Sequence, residues 1–417
     1  MHSLPLSGSP ATRKVLSCYF NVFFPNASSR LAVSISASRS LWVASSQVYS
    51  HGRFRLLASH SQAKVRSVVI VSSTCRLLNK LQHNRPQKWL GIRRLILALE
   101  IKGELVPYEL KDRLVVGVAS SAMFDLAEAD RVFRTQGEEK YREYQEAHKD
   151  DPLEEGISFS FIKRLLSLND LSNSDDGPMV EVVLLSRNDP DTGIRVMNSI
   201  KHYGLDITRA IFQQGVSPYD YIPALNISLF LSGNNSDVLE AIAKGYPAGY
   251  VMNSKKIDDP EDKTLRIAFD FDGVIADDAS ETVMQEGDLN EFHSHETSNV
   301  MTPHDGGPLK EFLLRISKIQ KVEEEKRKSD SSYKNRLRVS IVTARNAPSH
   351  ERAINTLKSW GVMANDAFFL GGIEKKLVLD VLQPHIFFDD QSGHLATSSE
   401  VAPSVHIPFG ITNNSDE

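Results

Sequence analysis

The stretch LRIAFDFDGVIADD, residues 265–278, decides the fold of this chain. Apolar residues alternate with their neighbours from Leu265 to Phe269, which is typical of a strand that enters a core. The strand ends at Asp270, and Gly273 allows a sharp turn that brings the backbone close to a ligand. An isolated D-x-D-G sequence is more often a surface turn. Here apolar residues flank it on both sides, which indicates the carboxyl end of a core strand, where open α/β sheets bind ligands.

Asp270 and Asp272 leave the strand end in the same direction, because side chains at positions i and i+2 share a face of a strand. Two carboxylates placed in this way repel each other. A divalent cation, which prefers oxygen ligands, would remove that repulsion. The pair therefore predicts a cation site at the end of this strand.

The charge of the 417-residue chain is unevenly distributed. Residues 1–99 contain 14 Lys or Arg and no Asp or Glu, and the rest holds 34 basic and 53 acidic residues. A Ser- and Arg-rich, acid-free leader is typical of organelle transit peptides, most of which are shorter. A disordered tail and a mis-assigned gene start remain alternatives. We predict that residues 1–105 are a basic N-terminal extension, either disordered or targeting.

Several classes of protein are disfavoured by composition. No apolar run reaches the ~18 residues that span a bilayer, so we expect no membrane segment. No folded basic motif accompanies the positive leader, so nucleic acid is not an expected partner. The only two cysteines, Cys18 and Cys75, lie in the extension, so the body of the protein has neither a disulfide framework nor a Cys-ligated zinc site.

Strands and helices alternate in the next part of the chain, residues 106–255. Apolar runs predict strands at 115–118, 180–188, 210–212 and 227–231, and amphipathic patterns predict helices at 126–148, 159–168 and 192–203. This alternation predicts the α/β class, with a parallel sheet covered by helices on both faces.

The second half of the chain repeats this plan. RVSIVTARNAPSHERAINTLKSWGV, residues 338–362, is similar to VEVVLLSRNDPDTGIRVMNSIKHYGL, residues 180–205. Each contains a strand, an R-N-x-P turn and a helix that ends before an aromatic residue and Gly. We interpret the similarity as a duplicated α/β unit. A chance likeness between two common strand-helix units is the alternative.

The two copies differ where chemistry is expected. The first copy, residues 106–255, lacks the Asp and Lys residues that the second copy, residues 256–412, has at the expected site. The aligned positions of the first copy and then the second are Ala119 and Asp270, Ser121 and Asp272, Pro218 and Lys375, Ser232 and Asp389, and Gly233 and Asp390. We therefore predict that the first copy is a non-catalytic partner of a catalytic second copy.

Chemically active side chains follow four predicted strands of the second copy. They are Asp270 and Asp272, Thr343, Lys375, and Asp389 with Asp390. The carboxyl ends of parallel strands meet at one edge of a sheet, so these groups can converge on one pocket. A phosphoryl group near its transition state needs a cation, a Lys, a hydroxyl or N–H donor and an in-line nucleophile. The set predicts a phosphoryl-transfer site.

Each acidic residue has an expected role. Asp270 would attack phosphorus and form an aspartyl-phosphate. Asp272 would protonate the leaving oxygen and then activate the water that resolves the intermediate. Asp389, with Asp390, would hold Mg²⁺ together with Asp270 and the backbone carbonyl of Asp272.

The remaining candidates are substrate-binding groups. Thr343 and Lys375 would bind phosphoryl oxygens, and Arg345 is a further candidate for contacting substrate. Taken alone, Thr343 is more often a structural strand residue and Lys375 a solvated helix start. Because both residues occur in the expected order with the two Asp pairs, a substrate-binding role is the stronger interpretation.

A polar, mostly helical stretch separates Asp270 from Thr343. We predict that residues 278–335 form a small cap over the strand edge, which excludes water and selects the leaving group. Four of its side chains could contact a base or a metal, although core packing or exposure is the better expectation for each: Phe292, His293, His295 and His304.

Several segments resemble a known family. The order D-x-D-G, Thr, Lys, D-D is similar to the haloacid-dehalogenase superfamily of phosphatases. More closely, SSAMFDL, SPYDYIPALNISLFLS, AFDFDGVIADDASE and PHIFFDDQ resemble the cytosolic type I 5′-nucleotidases along residues 112–412. The resemblance implies a cytoplasmic location and Mg²⁺-dependent hydrolysis of nucleoside 5′-monophosphates, with AMP among the substrates. Together with the internal repeat, it predicts duplicated Rossmann-like parallel sheets of the haloacid-dehalogenase type. Residues 120–122, Ser-Ser-Ala, depart from the family's frequent Ser-Arg-Ala, and the basic extension leaves an organelle as the alternative location.

Two other functions stay open. One is a phosphatase of the same superfamily that acts on a sugar phosphate or a cofactor. The other is a nucleotide-sensing protein with residual catalysis, although such a protein would not need two uncompensated Asp pairs. A nucleotide effector and a homo-oligomer are further expectations that the residues leave undecided.

Overall fold

The computed structural model describes residues 108–172, 177–254 and 258–413, and the backbone of three short strands before them. Residues 1–107 form a unit of their own. Its strands are β1 (Leu16–Val22), β2 (Leu31–Ala37) and β3 (Phe54–Leu56). Strand β2 pairs with β1 antiparallel and with β3 parallel. The rest of the extension, for which a disordered or targeting segment is predicted, lies outside the described residues.

The first half of the second unit, Tyr108–Glu417, contains five strands and five helices among its described residues. The strands are β4 (Leu114–Ala119), β5 (Val180–Ser186), β6 (Arg209–Phe212), β7 (Leu229–Ser232) and β8 (Ala248–Val251). The helices are α1 (Ser120–Met123), α2 (Ala127–Ala147), α3 (Phe159–Ser167), α4 (Ile194–His202) and α5 (Asn235–Ala243). The predicted α/β alternation is confirmed.

The second half has five strands and six helices among its described residues. The strands are β9 (Leu265–Phe269), β10 (Leu337–Thr343), β11 (Asp366–Phe369), β12 (Ile386–Asp389) and β13 (Ser404–His406). The helices are α6 (Ala279–Glu286), α7 (Leu289–Ser298), α8 (Lys310–Ser329), α9 (His350–Ser359), α10 (Lys375–Leu382) and α11 (Ser392–Ser398).

All ten strands of this unit lie in one sheet, in the order β11-β10-β9-β12-β13-β8-β7-β4-β5-β6. Each half has the same internal order, with its first strand in the middle and parallel neighbours throughout. The halves meet where β13 pairs with β8 antiparallel. Because the strands of the two halves run in opposite directions, their carboxyl ends lie at opposite edges of the sheet.

Helices cover both faces of the sheet. On one face a single core cluster extends across both halves and takes in apolar residues of α3, α4, α8 and α9, such as Phe161 and Phe312. On the other face the two halves have separate clusters, which include Val238 of α5 and Leu379 of α10. Along β4 and β5 every residue is buried, as expected for a parallel sheet packed on both sides.

The helices that follow the first strand of each half cross the boundary between the halves. Helix α3 of the first half contacts β9, and α8 of the second half contacts β4. On α8, Arg315 donates to the carbonyl oxygen of Arg113 and to Asn226 Oδ1, the latter at 3.2 Å. The two predicted α/β regions are therefore halves of one packed unit.

Matched side-chain hydrogen bonds recur in the two halves. Arg195 Nε of α4 donates to a loop carbonyl at 3.0 Å, and Arg352 Nε of α9 makes the equivalent bond at 2.9 Å. One turn further along, Asn198 and Asn355 each donate to a carbonyl of the same loop. The similar sequences of these helices thus make similar contacts.

The structure corrects the predicted extent of the cap. An isolated antiparallel bridge joins Ala276 and Gly306. We call the segment between these two residues, which contains α6 and α7, the insertion. Helix α8 lies beyond this bridge and buries Phe312, Leu313 and Ile316 in the core. Its polar exposed side concealed the buried stripe in the sequence. Helix α8, which the predicted cap included, therefore packs on the sheet and lies outside the insertion.

Within the described ranges, no helix combines the length and the apolar character needed to cross a lipid bilayer.

A buried histidine lies at the amino ends of the second-half strands. His385 Nδ1 accepts a hydrogen bond from the backbone N–H of Arg266 at 3.0 Å, which fixes the neutral ring. Burial lowers the pKa of His385 to about 4, and the guanidinium groups of Arg164 and Arg266 act in the same direction. The usual value for the side chain is 6.5.

We expect His385 to make unfolding pH-dependent. Between pH 6.5 and 4 the unfolded chain binds this proton and the folded chain does not, so stability falls as the pH falls. From pH 7 to pH 5 the loss should be about 2 kcal/mol larger in the wild type than in His385→Asn, which keeps an acceptor for Arg266. Urea unfolding at both pH values measures it. Equal losses in the two proteins would contradict the assignment.

Candidate active site

The predicted chemical groups lie at the carboxyl edge of the second half. Strand β9 runs directly into Asp270, β10 ends at Thr343 and β12 ends at Asp389. Lys375 is the first residue of α10, which follows β11. Parallel pairing of β9 with β10 and β12 brings residues more than 100 positions apart to one place.

Lys375 bridges two carboxylates at the centre of the site. Its Nζ lies 2.5 Å from Asp270 Oδ2 and 2.6 Å from Asp389 Oδ2. All three side chains are buried. Burial opposes the charge on Lys375, but Asp270 and Asp389 raise its pKa well above the usual range, so the lysine is an ammonium ion. It offsets part of the negative charge that burial makes costly.

A third carboxyl group completes the cluster. Asp390 is buried, and its Oδ2 accepts a hydrogen bond from Thr412 Oγ1 at 3.0 Å. Its Oδ1 has no hydrogen-bond partner among the residues that the structure describes. Burial raises the pKa of Asp390, and the charges of Asp270 and Asp389 raise it further. Three acidic groups therefore share a space that one lysine cannot neutralise.

Gly273 makes room for Asp390. It has a φ of 69°, which favours glycine, and a Cβ at this position would lie 2.6 Å from Asp390 Cγ. The glycine that the sequence marked as a close-approach position therefore allows the turn after Asp270 to contact the second acidic pair.

The cluster fits a divalent cation. Ligand atoms of Asp270, Asp389 and His394 all lie within 4.8 Å of one another, and the unpartnered Asp390 Oδ1 is a buried oxygen that a cation would satisfy. His394 Nδ1 is 3.4 Å from Asp389 Oδ1 and was not among the predicted residues.

Asp272 pairs with Arg345, outside the cluster around Lys375. Arg345 holds both of its carboxylate oxygens, with Nε to Oδ2 at 2.7 Å and Nη2 to Oδ1 at 2.6 Å. Its backbone carbonyl is thus the group that Asp272 could offer to a metal, as the sequence predicts. The same contact occupies Arg345, whose predicted role in substrate binding remains a prediction.

Thr343 lies beside Arg345 at the end of β10. Its hydroxyl is buried and accepts a hydrogen bond from the backbone N–H of Arg345 at 3.3 Å. A hydroxyl in this place can still donate to a phosphoryl oxygen, because the contact uses only one of its lone pairs.

A second charged network lies behind Arg345 and was missed in the sequence. Its centre is Glu296 of α7, which is fully buried and forms ion pairs with Arg345 and Arg352, the latter at 2.8 Å. His304 is also buried, 3.3 Å from both Glu296 and Asp277. Glu296 and Arg352 lie on polar helix segments that gave no sign of burial, and His304 was expected to be packed or exposed.

The candidate site does not coincide with the described cavities. One cavity, of about 700 Å³, lies at the amino ends of β9, β10 and β11, and another, of about 580 Å³, lies beside His385. Both are at the opposite edge of the second half from Asp270.

Comparison with known proteins shows the family of this chain. A model of the 5′-nucleotidase family matches residues 106–414. Human cytosolic 5′-nucleotidase 1B is 32% identical over 293 residues, which are 69% of this chain and 48% of that protein. The chain thus spans about half the length of this relative. No solved structure matches the chain significantly.

The matched range contains both halves of the sheet and every predicted site residue. The resemblance to the cytosolic type I 5′-nucleotidases that the sequence motifs indicate is confirmed. On the evidence of its fold, its acidic cluster and this match, the chain belongs to the 5′-nucleotidase family.

Proposed function

We propose that the protein is a Mg²⁺-dependent phosphatase that hydrolyses nucleoside 5′-monophosphates, AMP among them, to nucleoside and phosphate. The observation that carries the proposal is the lysine bridge between Asp270 and Asp389 at the carboxyl edge of the sheet. A pure nucleotide-binding protein has no need of three buried carboxyl groups in one place, because they cost stability unless a cation joins them. The family match supports nucleotides over other phosphate esters.

Asp270 is the proposed nucleophile. Its Oδ1 accepts a hydrogen bond from the backbone N–H of Phe271 at 2.6 Å, and its Oδ2 accepts one from Lys375 Nζ. These two bonds hold the carboxylate in one orientation. One carboxylate oxygen forms a bond to phosphorus as the bond from phosphorus to the 5′ oxygen breaks. In this step Asp272 is a carboxylic acid whose oxygens still accept from Arg345, and the oxygen that carries the hydrogen gives it to the departing oxygen.

The same two residues complete the cycle in the proposed mechanism. Asp272, now a carboxylate, removes a proton from a water molecule that attacks phosphorus of the aspartyl-phosphate. The bond between phosphorus and Asp270 breaks, inorganic phosphate leaves and both side chains return to their first state. Lys375 and Thr343 would bind phosphoryl oxygens throughout.

Asp270, Asp389 and Asp390 would hold the Mg²⁺, with the backbone carbonyl of Asp272. When bound, the ion supplies positive charge to the carboxylates and to the phosphoryl oxygens. His394, next to Asp389, would orient that carboxylate.

We further propose that the two halves arose by duplication and that the first is non-catalytic. The shared strand order and the matched bonds of Arg195 and Arg352 support this. Because the halves run antiparallel, Ser121 and Ser232 of the first half lie at the opposite edge from Asp270. The first half would then support the site through β8 and the common core.

The insertion is the proposed cap, which would select the leaving group. The name of the human relative favours a cytoplasmic location. Nucleotide effectors and a homo-oligomer stay as predictions.

Replacing Asp270 tests the proposed activity. We expect the full-length protein to release phosphate from AMP with Mg²⁺, and Asp270→Asn to lower the rate at least ~10³-fold, because the nucleophile is gone. Asp380→Asn, at an exposed position of α10, is the control. A panel of nucleoside monophosphates and sugar phosphates measures preference. Turnover of sugar phosphates alone would favour the other phosphatase, and nucleotide binding without turnover would favour a sensor.

Replacing Asp390 tests the metal site without measuring turnover. At a Mg²⁺ concentration of 100 times its Kd, the ion should stabilise the wild type by about 2.7 kcal/mol. Asp390→Asn should lose most of this gain, while its stability without metal should not fall, because one of three crowded carboxyl groups is removed. Thermal unfolding with and without Mg²⁺ measures both. Unchanged Mg²⁺ stabilisation in the variant would exclude Asp390 as a ligand.

A further inference from the structure

The contact between Arg345 and Asp272 depends on residues outside the catalytic cluster. Arg345 is nearly fully buried, and its guanidinium group lies 5.1 Å from the ring centre of Phe271 and 5.4 Å from that of Phe292. Its Nη1, which does not contact Asp272, binds Glu296 and donates to the carbonyl oxygen of Ser349 at 3.2 Å. Glu296 and Ser349 therefore fix one nitrogen of the guanidinium group, and the other two nitrogens bind Asp272.

Glu296 is the anchor of this arrangement. Its Oε1 accepts from Ser280 Oγ at 2.6 Å and from Arg352 Nη1 at 2.8 Å, and its Oε2 faces Arg345 and His304. Both oxygens are thus occupied inside the protein. Burial acts to raise the pKa of Glu296, yet the hydrogen bond with His304 and the charge of Arg345 hold it well below its usual range. Glu296 is a buried anion between two arginines.

These contacts join three parts of the fold. Glu296 is on α7 of the insertion, Arg352 is on α9 of the helix layer, and Arg345 follows β10 at the sheet edge. The insertion is therefore connected to Asp272 by two ion pairs, from Glu296 to Arg345 and from Arg345 to Asp272.

The first half provides an internal comparison. Arg187 aligns with Arg345, and Ser121 aligns with Asp272. Arg187 forms an ion pair with Asp237 instead. The aligned arginine therefore takes a different partner in the half that lacks the proposed acid.

We propose that Glu296 is a positioning residue, which acts through Arg345 to aim the carboxyl group of Asp272 at the leaving oxygen. The inference rests on the proposed function of the site. Without its anchor the long arginine side chain gains rotamers, and the carboxyl group that it holds loses its orientation. Proton transfer from Asp272 requires that orientation, and a small displacement of the carboxyl group lowers the reaction rate by a large factor. Because Glu296 belongs to the insertion, docking of α7 and aiming of Asp272 are coupled.

A substrate that needs no proton on its leaving group separates positioning from general support. In a nucleoside 5′-phosphorothiolate, sulfur replaces the bridging oxygen, and the thiolate leaves without protonation. The full-length wild type and Glu296→Gln are compared on this analogue and on the ordinary 5′-monophosphate. Nucleoside release is followed in a single turnover with enzyme in excess, so that hydrolysis of the aspartyl-phosphate does not enter the measured rate.

We expect Glu296→Gln to slow nucleoside release from the ordinary substrate by at least about tenfold, because general acid catalysis contributes ~10²–10⁴-fold. Nucleoside release from the sulfur analogue should slow by no more than about twofold, because its leaving group needs no proton. The matched control is Glu181→Gln, which removes another buried carboxylate, paired with Arg209 at 2.6 Å in the first half. It should slow both substrates equally or not at all.

Equal slowing of both substrates by Glu296→Gln would overturn the proposal, because Glu296 would then only support the fold. If that variant does not fold, Arg345→Lys takes its place, since lysine keeps the charge but cannot hold both oxygens of Asp272. The same difference between the two substrates is then expected, and its absence overturns the proposal. A wild type that releases nucleoside from neither substrate would show instead that the proposed function is wrong.

Discussion

The mutual repulsion of three buried carboxyl groups is the constraint on which the second half of the sheet depends. Asp270, Asp389 and Asp390 come together because β9 and β12 are neighbours and end at the same edge. Lys375 offsets part of the charge, and the unpartnered oxygen of Asp390 indicates a place for a second cation. Negative charge that is costly by itself becomes useful when a phosphoryl group and a metal ion bind, because their binding relieves the repulsion.

The halves of the sheet share a strand order, but the acidic cluster lies in the second half. Strand β13 pairs with β8 in opposite directions, so the carboxyl edge of each half is separated from that of the other by the length of a strand. Two sites built in this way cannot merge into one pocket. The first half completes the sheet and the core that α3 and α8 share.

The sequence predicted the parts of this structure that follow a local period or a motif. Strand β9, the Asp pairs, Lys375 and the repeated order of elements were all readable, because buried strands are continuous apolar runs and strand ends converge. The cap boundary was not, since the polar face of α8 hid its buried stripe. Glu296 and Arg352 were missed for a related reason: each is charged on a polar helix, and only tertiary contacts show that the two neutralise each other inside the protein. A single sequence carries no signal for such a pair.

The position of β13 in the chain has a consequence for biosynthesis. It follows all the other strands in chain order, yet it lies at the centre of the finished sheet, between β12 and β8. While the chain emerges from the ribosome, β8 presents an open edge and the apolar surface beneath α3 lacks β9. Such edges pair readily with other chains. The edge of β8 therefore stays without its partner strand until some 150 further residues have been made.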